Sequence, residues 1–199
     1  MDSSATRLRE LLLSPAEPAA ATPWAQAMPE AGLRFPRDYR EFVDCYGGGL
    51  VNGEFGIVIP KLHPFQPGAK AGFPGFAQFA AEQVAPGFPD LGVPGPEPDP
   101  YRNPYPFFPA AGGLLIWARD YNGDHCFWLT EHENPDRWPV VVFFRNMPAP
   151  QWRLFDGGMT QFLIALLDRS YEYAELLIGP VQAPRWDRLE DWARRYDVG

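Results

Sequence analysis

Basic residues are scarce in this chain of 199 residues. It carries 17 lysines and arginines against 25 aspartates and glutamates, which gives a formal net charge of −8 at pH 7. Proteins that bind nucleic acid or anionic lipid by surface charge need a basic face for the phosphates or headgroups. The composition therefore weighs against nucleic acid and a membrane surface as partners, and it suits a basic protein partner.

Long apolar runs and cysteines are also few. No apolar run approaches the roughly 18 residues that a membrane-spanning helix requires. The N-terminal apolar run at residues 11–13 is too short for a secretion signal, so we expect a cytoplasmic protein. The two cysteines, Cys45 and Cys126, are then expected to be reduced thiols.

Proline, glycine and aromatic residues, by contrast, are abundant. The chain has 24 prolines and 19 glycines, yet 46% of its residues are hydrophobic and 15% aromatic. Disordered chains lack the apolar surface that offsets chain entropy, so the sequence predicts a globular protein with loop-rich insertions. The main insertion spans residues 63–112, with a helical turn or two at 76–84. Because aromatic residues are interleaved with its prolines, we expect an ordered loop that lies on the core or on a partner.

Helical patterns occupy both ends of the chain. Residues 4–13 predict a short helix, and an Ala/Pro linker follows to residue 32. The clearest helix has Pro36 at the favoured first-turn position and ends at the glycines 47–49. Residues 158–167 predict another helix, and a final amphipathic helix is expected from Pro184 to Tyr196.

The middle of the chain predicts strands. They are expected at residues 55–59, 113–119, 125–130, 139–145 and 151–156. Asn122 and Gly123 lie between two of them, which predicts a hairpin with a type I′ turn. Strands joined by hairpins form antiparallel sheets. Helices, then an antiparallel meander, then helices predict an α+β fold.

Candidate metal and catalytic patterns fail on spacing. Asp120, Asn122, Asp124 and Glu131 match four positions of a calcium loop, but His125 stands where that loop requires glycine, and a strand follows. His125 and Cys126 are neighbours in a strand, so their side chains point to opposite faces and cannot form a nucleophile–base pair. We therefore expect no metal, no cofactor and no enzymatic activity.

One motif resembles a known family. Residues 33–49 follow the pattern LxFPxxYxxFxxxYGGG, and Gly56-Ile57 come next. This pattern is similar to the N-terminal signature of the SUKH superfamily. That superfamily includes the fungal Smi/Knr-type cell-wall assembly regulators and many bacterial immunity proteins. The later strand, glycine-containing turn, strand and closing helix are similar too, so the resemblance covers residues 33–168.

The resemblance implies a domain organisation and a fold. Residues 1–32 would be an N-terminal helix and linker, and residues 33–168 a SUKH-like domain with the proline-rich insertion at 63–112. Residues 169–199 would be a C-terminal helical extension that packs on the domain. The implied fold is a curved antiparallel sheet flanked by N- and C-terminal helices.

The resemblance also implies a function, which is the binding of a protein partner without catalysis. Bacterial members commonly neutralise a cognate toxin domain, often a nuclease. We expect binding through the concave face of the sheet and two acidic segments, whose candidate residues are Asp120, Asn122, Asp124, Glu131, Glu133 and Asp136. The alternative is a regulatory domain that binds a small molecule or glycan through the aromatic-rich insertion.

Overall fold

The structure is a computed structural model that describes residues 3–13, 19, 21–58, 76–77, 80–88, 103–148, 150–180 and 183–188. Five α-helices lie in these residues: α1 (Ser3–Leu11), α2 (Trp24–Ala31), α3 (Arg37–Tyr46), α4 (Met159–Leu167) and α5 (Ala174–Ile178). Single helical turns occur at Ala80–Val84, Ala85–Gly87 and Pro135–Arg137. None of the described helices has the length and apolar character needed to cross a bilayer.

Seven strands of the described residues form one antiparallel sheet. They are β1 (Gly49–Val51), β2 (Phe55–Ile57), β3 (Leu114–Arg119), β4 (His125–Leu129), β5 (Val140–Phe143), β6 (Trp152–Phe155) and β7 (Trp186–Arg188). Their order across the sheet is β6-β5-β4-β3-β2-β1-β7. The first six strands are a simple meander, and β7 returns to pair with β1. The predicted α+β class is confirmed, with helices flanking a curved antiparallel sheet.

Helix α3 forms where the sequence predicts it and packs on one face of the sheet. Its four apolar positions, Tyr39, Phe42, Val43 and Tyr46, are all buried. The Tyr39 ring meets Trp128 of β4 edge-on at 5.0 Å, and its hydroxyl donates to the Val58 carbonyl oxygen over 2.7 Å. Helix α4 covers the same face, because Phe162 lies 6.0 Å from the Trp117 ring of β3.

The other face of the sheet carries an aromatic cluster. Phe127, Phe143 and Trp152 project from β4, β5 and β6, and the Phe88 ring lies over all three at 5.9, 4.8 and 5.5 Å. Phe107 adds a contact with Phe127 at 5.8 Å. Both Phe88 and Phe107 belong to the proline-rich insertion, so its described parts lie on the core. Residues 59–75 and 89–102 lie outside the described residues.

The predicted linker before residue 32 is wrong at residues 24–31, which form α2. Pro29 lies inside this helix, and because proline is unfavourable in a helix interior the segment is predicted as a linker, although its alanines favour helix. A tertiary contact holds it instead, because the Trp24 indole N–H donates to the Asp44 carboxylate over 3.0 Å.

The predicted C-terminal helix is wrong at its start, where Trp186–Arg188 form β7. The Trp186 indole N–H donates to the Tyr46 carbonyl oxygen over 3.0 Å, and its ring meets Phe42 at 5.2 Å. These contacts with α3 and the pairing with β1 override a helical periodicity that only local spacing supports. The remainder of the predicted helix, residues 189–196, lies outside the described residues.

Candidate partner-binding site

The loop between β3 and β4 uses its two aspartates internally. Asp120 and Asp124 are only 4% and 5% exposed. Asp120 accepts the Asp124 N–H over 2.8 Å and the Asn122 side-chain amide over 3.2 Å. Asp124 accepts the Arg145 N–H over 2.8 Å. The prediction that these two carboxylates contact a partner is therefore corrected, since they hold the loop together, and only Asn122 of this segment's candidates is exposed.

The predicted type I′ turn is also wrong. Gly123 has a φ of +90°, but Asn122 does not adopt a positive φ. The Asp120 N–H donates to the Asp124 carbonyl oxygen over 3.1 Å, which closes a three-residue loop. Such loops need a left-handed residue only at their last position, and the Asp120 carboxylate organises this one.

Burial controls the ionisation of the groups around this loop. Burial raises the pKa of Asp124 to about 6, and the negative charge of Asp120 adds to this effect. The pKa of the Cys126 thiol is raised well above its ordinary value, chiefly by burial and then by the two carboxylates. Burial lowers the pKa of His125 to about 4, so its ring is neutral at pH 7. The His125 Nδ1–H donates to the Gly123 carbonyl oxygen over 2.8 Å.

The remaining candidates lie in the loop that follows β4. Glu131, Glu133 and Asp136 are all exposed. Asp136 accepts the Arg37 N–H at the start of α3 over 2.6 Å, so this loop docks against α3. The five residues of β4 separate it from the β3–β4 loop by roughly 15 Å. The six predicted residues therefore do not form one surface, and the second acidic segment stands alone.

Sequence reasoning missed a cleft at the N-terminus of α3. The cleft has a volume of about 310 Å³, and its lining includes three carboxylates, one arginine and one threonine: Asp38, Glu41, Asp136, Arg37 and Thr160. A second cleft of about 390 Å³ shares Asp38, Glu41 and Thr160 and continues to Cys45. Asp38 and Glu41 are three residues apart in a predicted helix, which places them on one face. That spacing was the sequence feature from which the cleft could have been predicted.

Asp38 anchors this cleft. Its carboxylate accepts the Thr160 N–H in the first turn of α4 over 2.9 Å and the Tyr39 N–H over 2.7 Å. Burial raises the pKa of Asp38, and the negative charges of Asp136 and Glu41 act in the same direction. The carboxylate thus joins α3 to α4, at a place where further positive charge would be favourable.

We call the exposed carboxylates of this cleft and of the loop after β4 the acidic surface: Glu41 and Asp136 line the cleft, and Glu131 and Glu133 lie in the loop. Arg37 is paired with Glu41 over 2.7 Å, while Glu131 and Glu133 form no ion pair with any residue that the structure describes. Within the described ranges, no group of three or more histidine, cysteine, aspartate or glutamate side chains could hold a metal ion. This arrangement can attract and bind cationic side chains.

Comparison with protein-family models, curated proteins and solved structures finds no match to the chain. The SUKH resemblance therefore stays a prediction that depends on the motif residues alone.

The alternative of a ligand-binding insertion gains no support from the described aromatics. Phe76, Phe88 and Phe107 pack against the core, and none of them lines the two clefts at α3.

Proposed function

We propose that the chain is a protein-binding module that neutralises a basic cognate toxin domain by direct contact, as the SUKH resemblance implies for an immunity protein. The proposal assigns binding and no catalytic step. Its contact surface is the acidic surface, in place of the two buried aspartates of the β3–β4 loop.

The observation that carries the proposal is the exposure of Glu131 and Glu133 in the loop after β4, the loop whose Asp136 lines the α3 cleft. Their charges face solvent and form no ion pair with any described residue. The net charge of −8 adds a long-range attraction for a cationic protein. Such complementarity mainly accelerates encounter and excludes wrong partners.

The neighbouring cleft supplies a place for a cationic side chain of the partner. Lysine or arginine that enters it would lie close to Asp38, whose charged form burial disfavours. A positive charge there would lower the cost of ionising Asp38. The cleft and the acidic surface thus favour the same kind of partner.

The proposal expects a basic toxin domain to be encoded beside the gene for this chain, and the experiment measures binding of that purified domain. Glu131→Lys combined with Glu133→Lys is expected to lower the association rate constant at least tenfold in 50 mM salt, because it reverses the local charge. The effect should shrink in 500 mM salt, where charges are screened over about 4 Å.

The control is Glu172→Lys combined with Glu175→Lys. This pair is exposed on and beside α5 and changes the net charge by the same amount. If both double variants slow association equally, only the net charge matters. If neither does, Glu131 and Glu133 are merely solvated, and the proposed contact surface is wrong.

A further inference from the structure

Strand β6 is an edge of the sheet, and no strand in the described part of the chain pairs with its outer side. Its register with β5 decides which backbone groups face outward. The Phe144 N–H donates to the Gln151 carbonyl oxygen over 2.9 Å. Antiparallel pairs alternate between bonded and non-bonded, so in the observed register Arg153 and Phe155 bond to β5. Trp152 and Leu154 therefore direct their backbone N–H and C=O groups away from the sheet.

The side chains of β6 leave the Leu154 part of this edge open. Leu154 is 58% exposed, and it lies on the same face as Trp152 because side chains alternate along a strand. Natural edge strands are usually protected by charged side chains, especially lysine, by proline or by a bulge. Strand β6 contains no lysine or proline and pairs with β5 in continuous register, and Arg153 is its one charged residue.

We propose that β6 is a docking edge to which an extended segment of a protein partner adds as a further strand. The outward backbone groups of Trp152 and Leu154 provide the hydrogen bonds, and Leu154 provides an apolar contact for the neighbouring strand. Strand addition of this kind takes affinity from main-chain bonds and specificity from alternate side chains.

Arg153 defines the chemistry of the occupant. Its guanidinium lies over the Tyr173 ring at 5.4 Å and donates to the Trp152 carbonyl oxygen over 3.3 Å, which leaves that oxygen a second lone pair. An antiparallel second copy that pairs Trp152 with Leu154 would place Arg153 opposite its own counterpart. Like charges directly opposite one another destabilise a strand pair, and each copy also carries a net charge of −8. The edge therefore fits a different chain, with apolar residues beside Trp152 and Leu154 and a carboxylate opposite Arg153.

The test uses the full chain and a synthetic strand peptide, acetyl-Thr-Val-Glu-Val-Thr-amide. At ten times its dissociation constant, the peptide should slow amide hydrogen exchange of Leu154 about tenfold, because the bound fraction is protected. The same peptide with lysine in place of glutamate should bind at least tenfold more weakly. Equal binding of both peptides would overturn the charge complementarity, and protection confined to other strands would overturn the docking edge.

Three variants separate backbone bonding from side-chain contact. Leu154→Pro removes an outward N–H but none of the hydrogen bonds to β5, and proline is tolerated on edge strands. This variant should therefore abolish saturable peptide binding. Leu154→Ala keeps the N–H and should weaken binding three- to tenfold. Leu176→Ala is the matched control, since Leu176 is 45% exposed on α5, and it should bind as the wild type does.

The circular dichroism spectrum must show that the Leu154→Pro variant is folded. If this variant is unfolded, the comparison of peptide binding by Leu154→Ala and Leu176→Ala tests the docking edge instead. Equal peptide binding by those two variants would overturn the proposal. Sedimentation that shows a wild-type dimer, lost in the Leu154 variants, would also overturn it by assigning the edge to a second copy. This inference does not rest on the acidic surface, because the Glu131/Glu133 double variant should bind the peptide normally.

Discussion

Two buried aspartates show how tertiary contacts can change the role that a sequence motif suggests. Asp120 and Asp124 have the spacing of cation ligands in the sequence, yet they accept backbone N–H groups within their own hairpin and the strand beside it. A buried carboxylate needs such partners because unsatisfied polar groups are costly away from water. His125 beside them is held neutral by the same burial.

His125 should make the protein less stable in acid. Its pKa is about 4 in the fold against 6.5 in the unfolded chain. Its stabilising contribution is therefore present above pH 6.5 and is lost as the pH falls toward 4. Between pH 7.5 and pH 5 this group alone should remove about 2 kcal/mol from the free energy of unfolding.

The measurement compares wild type with His125→Phe by urea denaturation at both pH values. Asp124, with its pKa raised to about 6, acts in the opposite direction, because its contribution grows as the pH falls. It is present in both proteins and cancels in the comparison. The variant should lose about 2 kcal/mol less than wild type on acidification, and an equal loss in both proteins would contradict the assigned burial.

At the scale of elements, β1 and β7 meet in a close contact at Gly49. Gly49 lies against the Asp187 backbone and the Trp186 ring, and a Cβ at this position would collide with both. Glycine at this position allows the close packing of β7 on β1. The sequence pattern indicated only that the glycines 47–49 end α3. The same contact explains why Trp186–Arg188 form a strand, since β7 needs this narrow approach to reach β1.

Gly49→Ala should therefore destabilise the pairing of β1 with β7. Overpacking of this kind costs about 1–3 kcal/mol, which lowers the melting temperature by several degrees and speeds amide exchange in β7. Gly87→Ala is the control, because a Cβ at Gly87 meets nothing within 4 Å. A Gly49→Ala melting temperature equal to that of the control would show that β7 does not pack as described.

At the scale of the whole molecule, both faces of the sheet are covered. Helices α3 and α4 lie on one face, and Phe88 and Phe107 of the insertion pack on the other. The concave face expected to bind a partner is thus occupied where the structure describes it. Among the residues that the structure describes, the acidic surface near the N-terminus of α3 and the outer edge of β6 are exposed.

The reactivity of the two cysteines should show whether the core is closed to solvent. Cys126 is fully buried in the core and Cys45 is partly exposed on α3. Because the thiolate is the reactive form, burial that raises the pKa of Cys126 should slow its alkylation further. Iodoacetamide should label one thiol in the native protein and two in 6 M guanidinium chloride, as counted by mass spectrometry. In Cys45→Ser the native protein should remain unlabelled, and rapid labelling of that variant would contradict a closed core.

The sequence by itself determined the elements whose apolar pattern matches the face that is buried in the fold. Helix α3, the hairpin from β3 to β4, strands β5 and β6, and helix α4 all follow from apolar periodicity and the glycines and prolines that bound them. Such local patterns survive folding because the buried face they predict is the face that the core requires. The exposure of Glu131 and Glu133 follows in the same way, from charges at the end of a predicted strand.

Only the tertiary structure decided the formation of α2 and β7 and which residues belong to the candidate site. Helix α2 depends on the bond from Trp24 to Asp44, and β7 depends on Trp186 and Gly49, which are more than 130 residues apart in sequence. The acidic surface is brought together by Asp136 reaching α3, while the burial of Asp124 removes it from the candidate site. No local pattern encodes these outcomes, because the free energy that decides each one comes from a contact between distant segments of the chain.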